Sequence, residues 1–219
     1  MELDRPNISD AAIARVRDMI VGGALPDGER INEVRLAADL GVSRTPLREA
    51  LNRLVAEGAI QARPRHGYFV RPLTVAEMEQ IYAIRPLLDP EALRLAGVPS
   101  AKRIEELERM NRKLVATGDS AAANALDEAW HLKLLADCPN RVLVELIENF
   151  MLRTRRYELA LFRETRHVRQ ATGDHERILD ALRRGDLDAA CAALKRNMES
   201  GRAPILEWLQ AREVARRPR

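Results

Sequence analysis

A mainly α-helical chain is predicted, with a small N-terminal helical unit that ends in a β-hairpin and a larger C-terminal antiparallel helical bundle. Three observations predict it. Hydrophobic residues make up 46% of the 219 residues, charged residues 32% and aromatics 4%, which suits a helical protein better than a large β-sandwich or a disordered chain. Apolar side chains recur at i, i+3, i+4 and i+7 through most of the sequence. Strand-like patterning is confined to residues 59–71, so the boundary is placed after Pro72, giving units 1–72 and 73–219.

In the first unit, Ile13, Val16 and Ile20 share one helical face, predicting a helix from Asp10 to Val21. Gly22-Gly23 ends it and Pro26-Asp27-Gly28 turns the chain. A short second helix carries Leu36, Ala37 and Leu40, with Gly41 where a left-handed C-terminal residue is wanted. Ser43 is a natural N-cap for a third helix, and Pro46 falls in its first turn, where a missing N–H costs nothing. Leu47, Ala50, Leu51 and Leu54 form its apolar stripe, opposite Thr45, Arg48 and Asn52. Ala59–Arg63 and Tyr68–Arg71 then read as two strands around Pro64-Arg65-His66-Gly67.

Two helices joined by a tight glycine turn, the second with an Arg-bearing polar face, form a helix-turn-helix, and the basic hairpin beside it reads as a wing. Between Ser43 and Arg71 stand Arg44, Arg48, Arg53, Arg63, Arg65 and Arg71 against Glu49 and Glu57, a local +4. All the bases are Arg, the residue suited to bidentate contact with phosphate or guanine. The stretch Gly23–Val70, above all VSRTPLREAL at Val42–Leu51, resembles the winged helix-turn-helix of GntR-type bacterial transcription regulators. The resemblance implies DNA contacts from Ser43, Arg44, Thr45 and Arg48, with the wing tip at His66 and Gly67 approaching the minor groove. It implies a homodimer on double-stranded palindromic operator DNA.

Thr74 with Glu77 forms a capping box that opens the second unit. About six helices follow, with breaks near Gly97-Val98-Pro99-Ser100, Gly118-Asp119, Cys138-Pro139-Asn140, Gly173 or slightly before it, and Gly185-Asp186. Pro86 and the Asp89-Pro90-Glu91 run predict a kinked or split first helix, and Ala211–Arg219 a frayed basic tail. Asp127 and His131, four apart, share a helix face. His175 stands on the stripe Ile178, Leu179, Leu182, and Asn197 among Ala190, Leu194 and Met198, so both aim inward. His167 falls off the stripe and reads as surface. Spacing alone suits a metal site and a set of hydrogen-bonded core residues equally well.

The pattern Asp127-x-x-Trp130-His131, then His175-x-x-Ile178-Leu179-x-Ala181-Leu182-x-x-Gly185-Asp186, resembles the all-helical ligand-binding domain of the FadR-type branch of that family, the FCD domain. In metal-binding members an Asp and three His hold a divalent ion, Zn or Ni, that engages a small carboxylate or sugar-acid effector. The resemblance maps the ligands onto Asp127, His131 and His175, with Asn197 at the fourth place as a weak oxygen donor. It maps an effector-facing base onto Arg85, and one of Arg153, Arg155 and Arg156, on the long helix after Asn140, is a further candidate carboxylate partner.

The expected function is therefore an effector-responsive, sequence-specific transcriptional regulator, a repressor, and not an enzyme. A metal-dependent enzyme would lack a persuasive general base and any use for the winged unit. A non-specific architectural DNA protein would want far more than the +3 left by 36 Lys+Arg against 33 Asp+Glu. No apolar run approaches the roughly 18 residues of a membrane helix. Met1–Asp10 lacks the hydrophobic stretch of a signal peptide, and two cysteines, Cys138 and Cys191, suit a reducing compartment, so a cytoplasmic protein is expected.

Overall fold

The computed structural model describes residues 8–162 and 165–216. The chain divides into two compact units that meet between Leu73 and Thr74. In the first, α1 (Ile8–Val21), α2 (Glu33–Leu40) and α3 (Arg44–Ala56) precede β1 (Ile60–Arg63) and β2 (Gly67–Val70). The Asn32 side chain opens α2 by accepting from the Val34 and Arg35 amides, each at 3.1 Å. Gly41 closes it at φ 65°, ψ 29°, the left-handed conformation glycine takes without a Cβ clash. Ser43 holds the N-cap position of α3 but makes no side-chain capping bond. The hydroxyl expected to cap the helix is exposed instead. Ala12, Ile13, Val16 and Ile20 of α1 pack with Leu47, Ala50, Leu51 and Leu54 of α3 in one buried core.

The hairpin pairs Ile60 with Val70 and Arg63 with Gly67. A third segment, unmarked by any strand pattern, lies along it. Arg30 bridges Phe69, the Ile31 amide donates to the Tyr68 carbonyl at 2.8 Å, and the Val70 amide to the Glu29 carbonyl at 3.0 Å. The Tyr68 hydroxyl donates to Asn52 Oδ1 at 2.6 Å and ties the wing to α3.

The second unit holds α4 (Val75–Ala96), α5 (Ala101–Ala116), α6 (Ser120–Leu134), α7 (Arg141–Leu161), α8 (Thr165–Arg183), α9 (Leu187–Ser200) and α10 (Arg202–Arg216). Thr74, Ser100, Asp119, Asn140 and Asp186 cap five of them, each accepting a backbone amide three residues on. The core runs from Leu93 and Leu107 through Trp130 and Ile147 to Ile178, Leu179 and Leu194. Among the described residues no helix is long and apolar enough to cross a membrane.

Three expectations are corrected here. The helix through Pro86 and Pro90 is one element, Val75–Ala96, rather than a split pair. Each proline forfeits a main-chain bond, at about 3 kcal/mol or more. Burial of Pro86 and the Arg85–Asp89 pair spanning it (3.1 Å) hold the helix together. Gly173 lies inside α8 instead of breaking it, because about 1 kcal/mol of glycine penalty is absorbed by a helix packed along its length. The stretch expected to fray is helical to Arg216, so the unit has seven helices among the described residues; residues 217–219 lie outside them.

Candidate functional site

On the winged unit, Ser43, Arg44, Thr45 and Arg48 are all exposed at the N-terminal end of α3, and His66 is exposed at the hairpin turn. Arg48 is held by Glu33, Nε to Oε2 at 2.6 Å, which aims the guanidinium while leaving 54% of the side chain open. Arg44 has no carboxylate partner among the described residues. Gly67 sits at φ 90°, and a Cβ there would lie 3.7 Å from Nε of Arg30. Sequence reasoning passed over Arg30, because a single bridging residue leaves no periodic trace. Arg65, one of the arginines counted in the basic cluster, adopts φ 64° where a Pro-initiated turn favours glycine. Arg30 and Arg65 are both exposed, so the hairpin end concentrates guanidinium groups as α3 does.

In the helical unit, Asp127, His131 and His175 converge. His131 Nε2 lies 3.4 Å from His175 Nε2 and 3.7 Å from Asp127 Oδ2, and His175 Nε2 lies 3.4 Å from Asp127 Oδ1. The ring of His175 is fixed from behind by Asn111, a residue the sequence did not single out. Asn111 Nδ2 donates to the Thr172 carbonyl and to Glu176, so its Oδ1 must accept, and His175 Nδ1 at 3.0 Å carries the proton. Nε2 of His175 is then a bare lone pair facing the other two donors. Trp130 stacks on the same ring at 3.6 Å, its own Nε1 donating to the Leu107 carbonyl.

Electrostatics favour neutral imidazoles. Burial drives the His131 pKa well below its ordinary value, with His175 and Arg85 adding to the effect, and burial takes His175 down to about 3. Burial, then Glu158, pushes the Asp127 carboxyl well up. The donor set fits a divalent ion. Ligands on a tetrahedral zinc with bonds of about 2.0–2.1 Å sit about 3.3 Å apart, close to the spacing seen.

A pocket of about 60 Å³ reaches this cluster and is lined by Tyr82, Arg85, Asp127, Glu158 and Asn197 among others. Asn197 is buried there with Oδ1 unpartnered. Arg85 also lines the pocket, but it is engaged: Nη1 donates to Glu158 at 3.2 Å and Nη2 to Asp89 at 3.1 Å, leaving Nε without a partner. Burial works against its charge, yet Asp89 and Glu158 outweigh burial and hold its pKa above the ordinary value. Arg153 pairs with Glu77, while Arg155 Nε donates to Glu128 at 2.8 Å at the pocket wall. The Arg156 side chain lies outside the described residues. His167, expected on the surface, is buried and lines a pocket with Tyr157 of α7 and Ile205 and Trp208 of α10.

Residues 8–70 match the family model described as bacterial regulatory proteins, gntR family, and residues 80–200 match the FCD domain. The Nta operon transcriptional regulator of Aminobacter aminovorans is 38% identical over 133 residues, 58% of this chain; the match spans 62% of that relative's length. The HTH-type transcriptional regulator LutR of Bacillus subtilis (strain 168) is 30% identical over 202 residues, covering 80% of this chain and 91% of that protein. Among solved structures, E. coli McbR/YncC shares the fold at a TM-score of 0.76 and 22% identity, over 93% of this chain and 99% of that one. A GntR family member from Pseudomonas syringae pv. tomato str. DC3000 aligns at a TM-score of 0.55 and 26% identity, over 95% of this chain and 88% of that one. A gntR-type winged domain followed by an FCD domain, with relatives named as transcriptional regulators, places the chain in the gntR family of bacterial regulatory proteins, in its FCD-bearing branch.

Proposed function

We propose that this regulator binds a palindromic operator in the cytoplasm as a homodimer and represses until a small carboxylate effector enters the pocket of the helical unit. Ser43, Arg44, Thr45 and Arg48 would meet base edges and phosphates in the major groove, and His66 and Gly67 the groove beside it. Dimerisation is supported by exposed apolar side chains on α4 and α7, among them Leu87 at 62% and Val142 at 68% exposure. Effector binding shifts the population between two arrangements of the paired DNA-binding units, which requires only that it bind one of them better.

The observation that carries the sensing role is the buried convergence of Asp127, His131 and His175 in a chain whose other unit presents Arg44 and Arg48 to solvent. These three side chains would hold a divalent zinc or nickel ion, which when bound supplies a Lewis-acidic centre for an effector oxygen. Asn111 keeps the His175 lone pair turned toward the site, and Trp130 fixes the ring plane. Asn197 brings an amide where a fourth imidazole would complete the set, so the protein's own strong ligands number three. Mass-spectrometric metal analysis of untagged protein, dialysed against excess zinc or nickel, should return one ion per chain. Light scattering should return twice 24.7 kDa. Metal-free protein after that dialysis sinks the metal assignment, and a strict monomer on operator DNA sinks the dimer.

A further inference from the structure

The effector pocket holds more negative than positive charge. Asp127, Glu128 and Glu158 line it, against Arg85 alone. Asp89 stands behind Arg85, wholly buried, and Arg155 closes on Glu128. Counted as ionised, these four carboxylates and two guanidiniums sum to a formal −2. A divalent ion among Asp127, His131 and His175 brings the sum to zero. An anionic effector would take it below zero again inside a buried site, where uncompensated charge is unfavourable. The one arginine offered to a carboxylate already has both terminal nitrogens bonded to Glu158 and Asp89.

Four buried polar atoms are left unsatisfied on residues lining this pocket: Asp127 Oδ1 and His131 Nδ1 belong to the candidate metal ligands, and the other two are of opposite kind. Nε of Arg85 is an N–H donor and Oδ1 of Asn197 an acceptor, on residues only 5% and 8% exposed. Orphans of this sort are rare in native proteins, because each forgoes bonds it made to water. The donor suits a carboxylate oxygen. The acceptor, with Glu158 on the same pocket wall, suits a protonated amine.

We propose that the pocket takes a small zwitterion, an α-amino acid or a similarly amine-bearing carboxylate, whose ammonium is received by Asn197 and Glu158. Such a ligand satisfies both orphans and leaves the net charge of the pocket unchanged. Asparagine in place of a fourth imidazole then gives up a metal ligand and gains an acceptor for the effector's N–H groups. A cavity of about 60 Å³ admits only a few heavy atoms before a side chain must run out along Phe162 and Met198.

The inference rests on the pocket being the effector site, and its test separates the two. Isothermal titration of the full chain, zinc-loaded and zinc-free, would use pairs differing only in amine against hydroxyl: glycine and glycolate, alanine and lactate, aspartate and malate. Zinc content is measured on every sample. At least one amino acid should bind tenfold or more tighter than its hydroxy partner, and Asn197→Ala and Glu158→Gln should each cut that preference below threefold. A preference under tenfold in every pair, tighter binding of the hydroxy acids, or no binding by any probe overturns the proposal, as does a preference that survives both substitutions. An amine preference in protein that takes up no zinc refutes the metal assignment and leaves this inference standing.

Discussion

Arg48 meets Glu33 at 2.6 Å with its side chain 54% exposed, whereas Arg85 meets Asp89 at 3.1 Å with the two side chains 6% and 0% exposed. The shorter contact is the less consequential. Water and salt screen the Arg48 pair, so Glu33 can release the guanidinium to DNA at little cost. The Arg85 pair sits in low dielectric, where losing Asp89 leaves the buried guanidinium with Glu158 as its one remaining carboxylate. The winged unit therefore keeps its charge negotiable for a polyanion, while the helical unit fixes its charge in place to recognise something small.

Expected effects scale with that contrast. Asp89→Ala should destabilise the helical unit by about 3–5 kcal/mol in urea unfolding. Glu33→Ala should leave the unfolding midpoint of the protein within error; comparable losses from both would erase the distinction. His175→Ala should weaken zinc or nickel binding by at least about 100-fold, read by competition with a chelating dye, with the winged unit still folded and binding DNA. Arg44→Ala should cost about 1–3 kcal/mol on operator DNA and much less on random sequence. Equal losses on both DNAs would make Arg44 a phosphate anchor.

Smaller effects sharpen the picture of the buried site. Asn111→Leu should weaken metal binding by about tenfold, at the low end for such a supporting residue, because the Trp130 stack still holds the His175 ring. Unchanged affinity would show that the tautomer needs no help from Asn111. Gly173→Ala should stabilise the helical unit by about 0.5–1 kcal/mol, since a Cβ there meets nothing within 4 Å. Destabilisation by the same change would mean that α8 relies on glycine at that point.

What was legible in the sequence was whatever a single helix displays. Asp127 and His131 share a face by spacing, and His175 interrupts an apolar stripe, so the cluster could be assembled from periodicity. Asn111 and Glu158 escaped because their roles exist only across helices, 64 residues from His175 and 73 from Arg85 respectively. The continuity of α4 escaped for a different reason. Proline propensity is a local rule, and burial of Pro86 with the Arg85–Asp89 pair overrides it. His167 was misplaced because part of its surroundings comes from α10, which starts 35 residues later in the chain.

The Glu29–Ile31 segment that lies along the hairpin changes what the wing is. A lone two-stranded hairpin is marginal in water. Here the Gly28, Ile31 and Val70 amides bond across the third segment, and Val70 and Ile31 are buried in the same core as α1 and α3. Deuterium exchange at Ile31 and Val70 should therefore follow opening of the whole winged unit rather than fraying of a loop. The conformational entropy of the hairpin is surrendered when the unit folds, long before DNA arrives, so little of the binding free energy is spent ordering it.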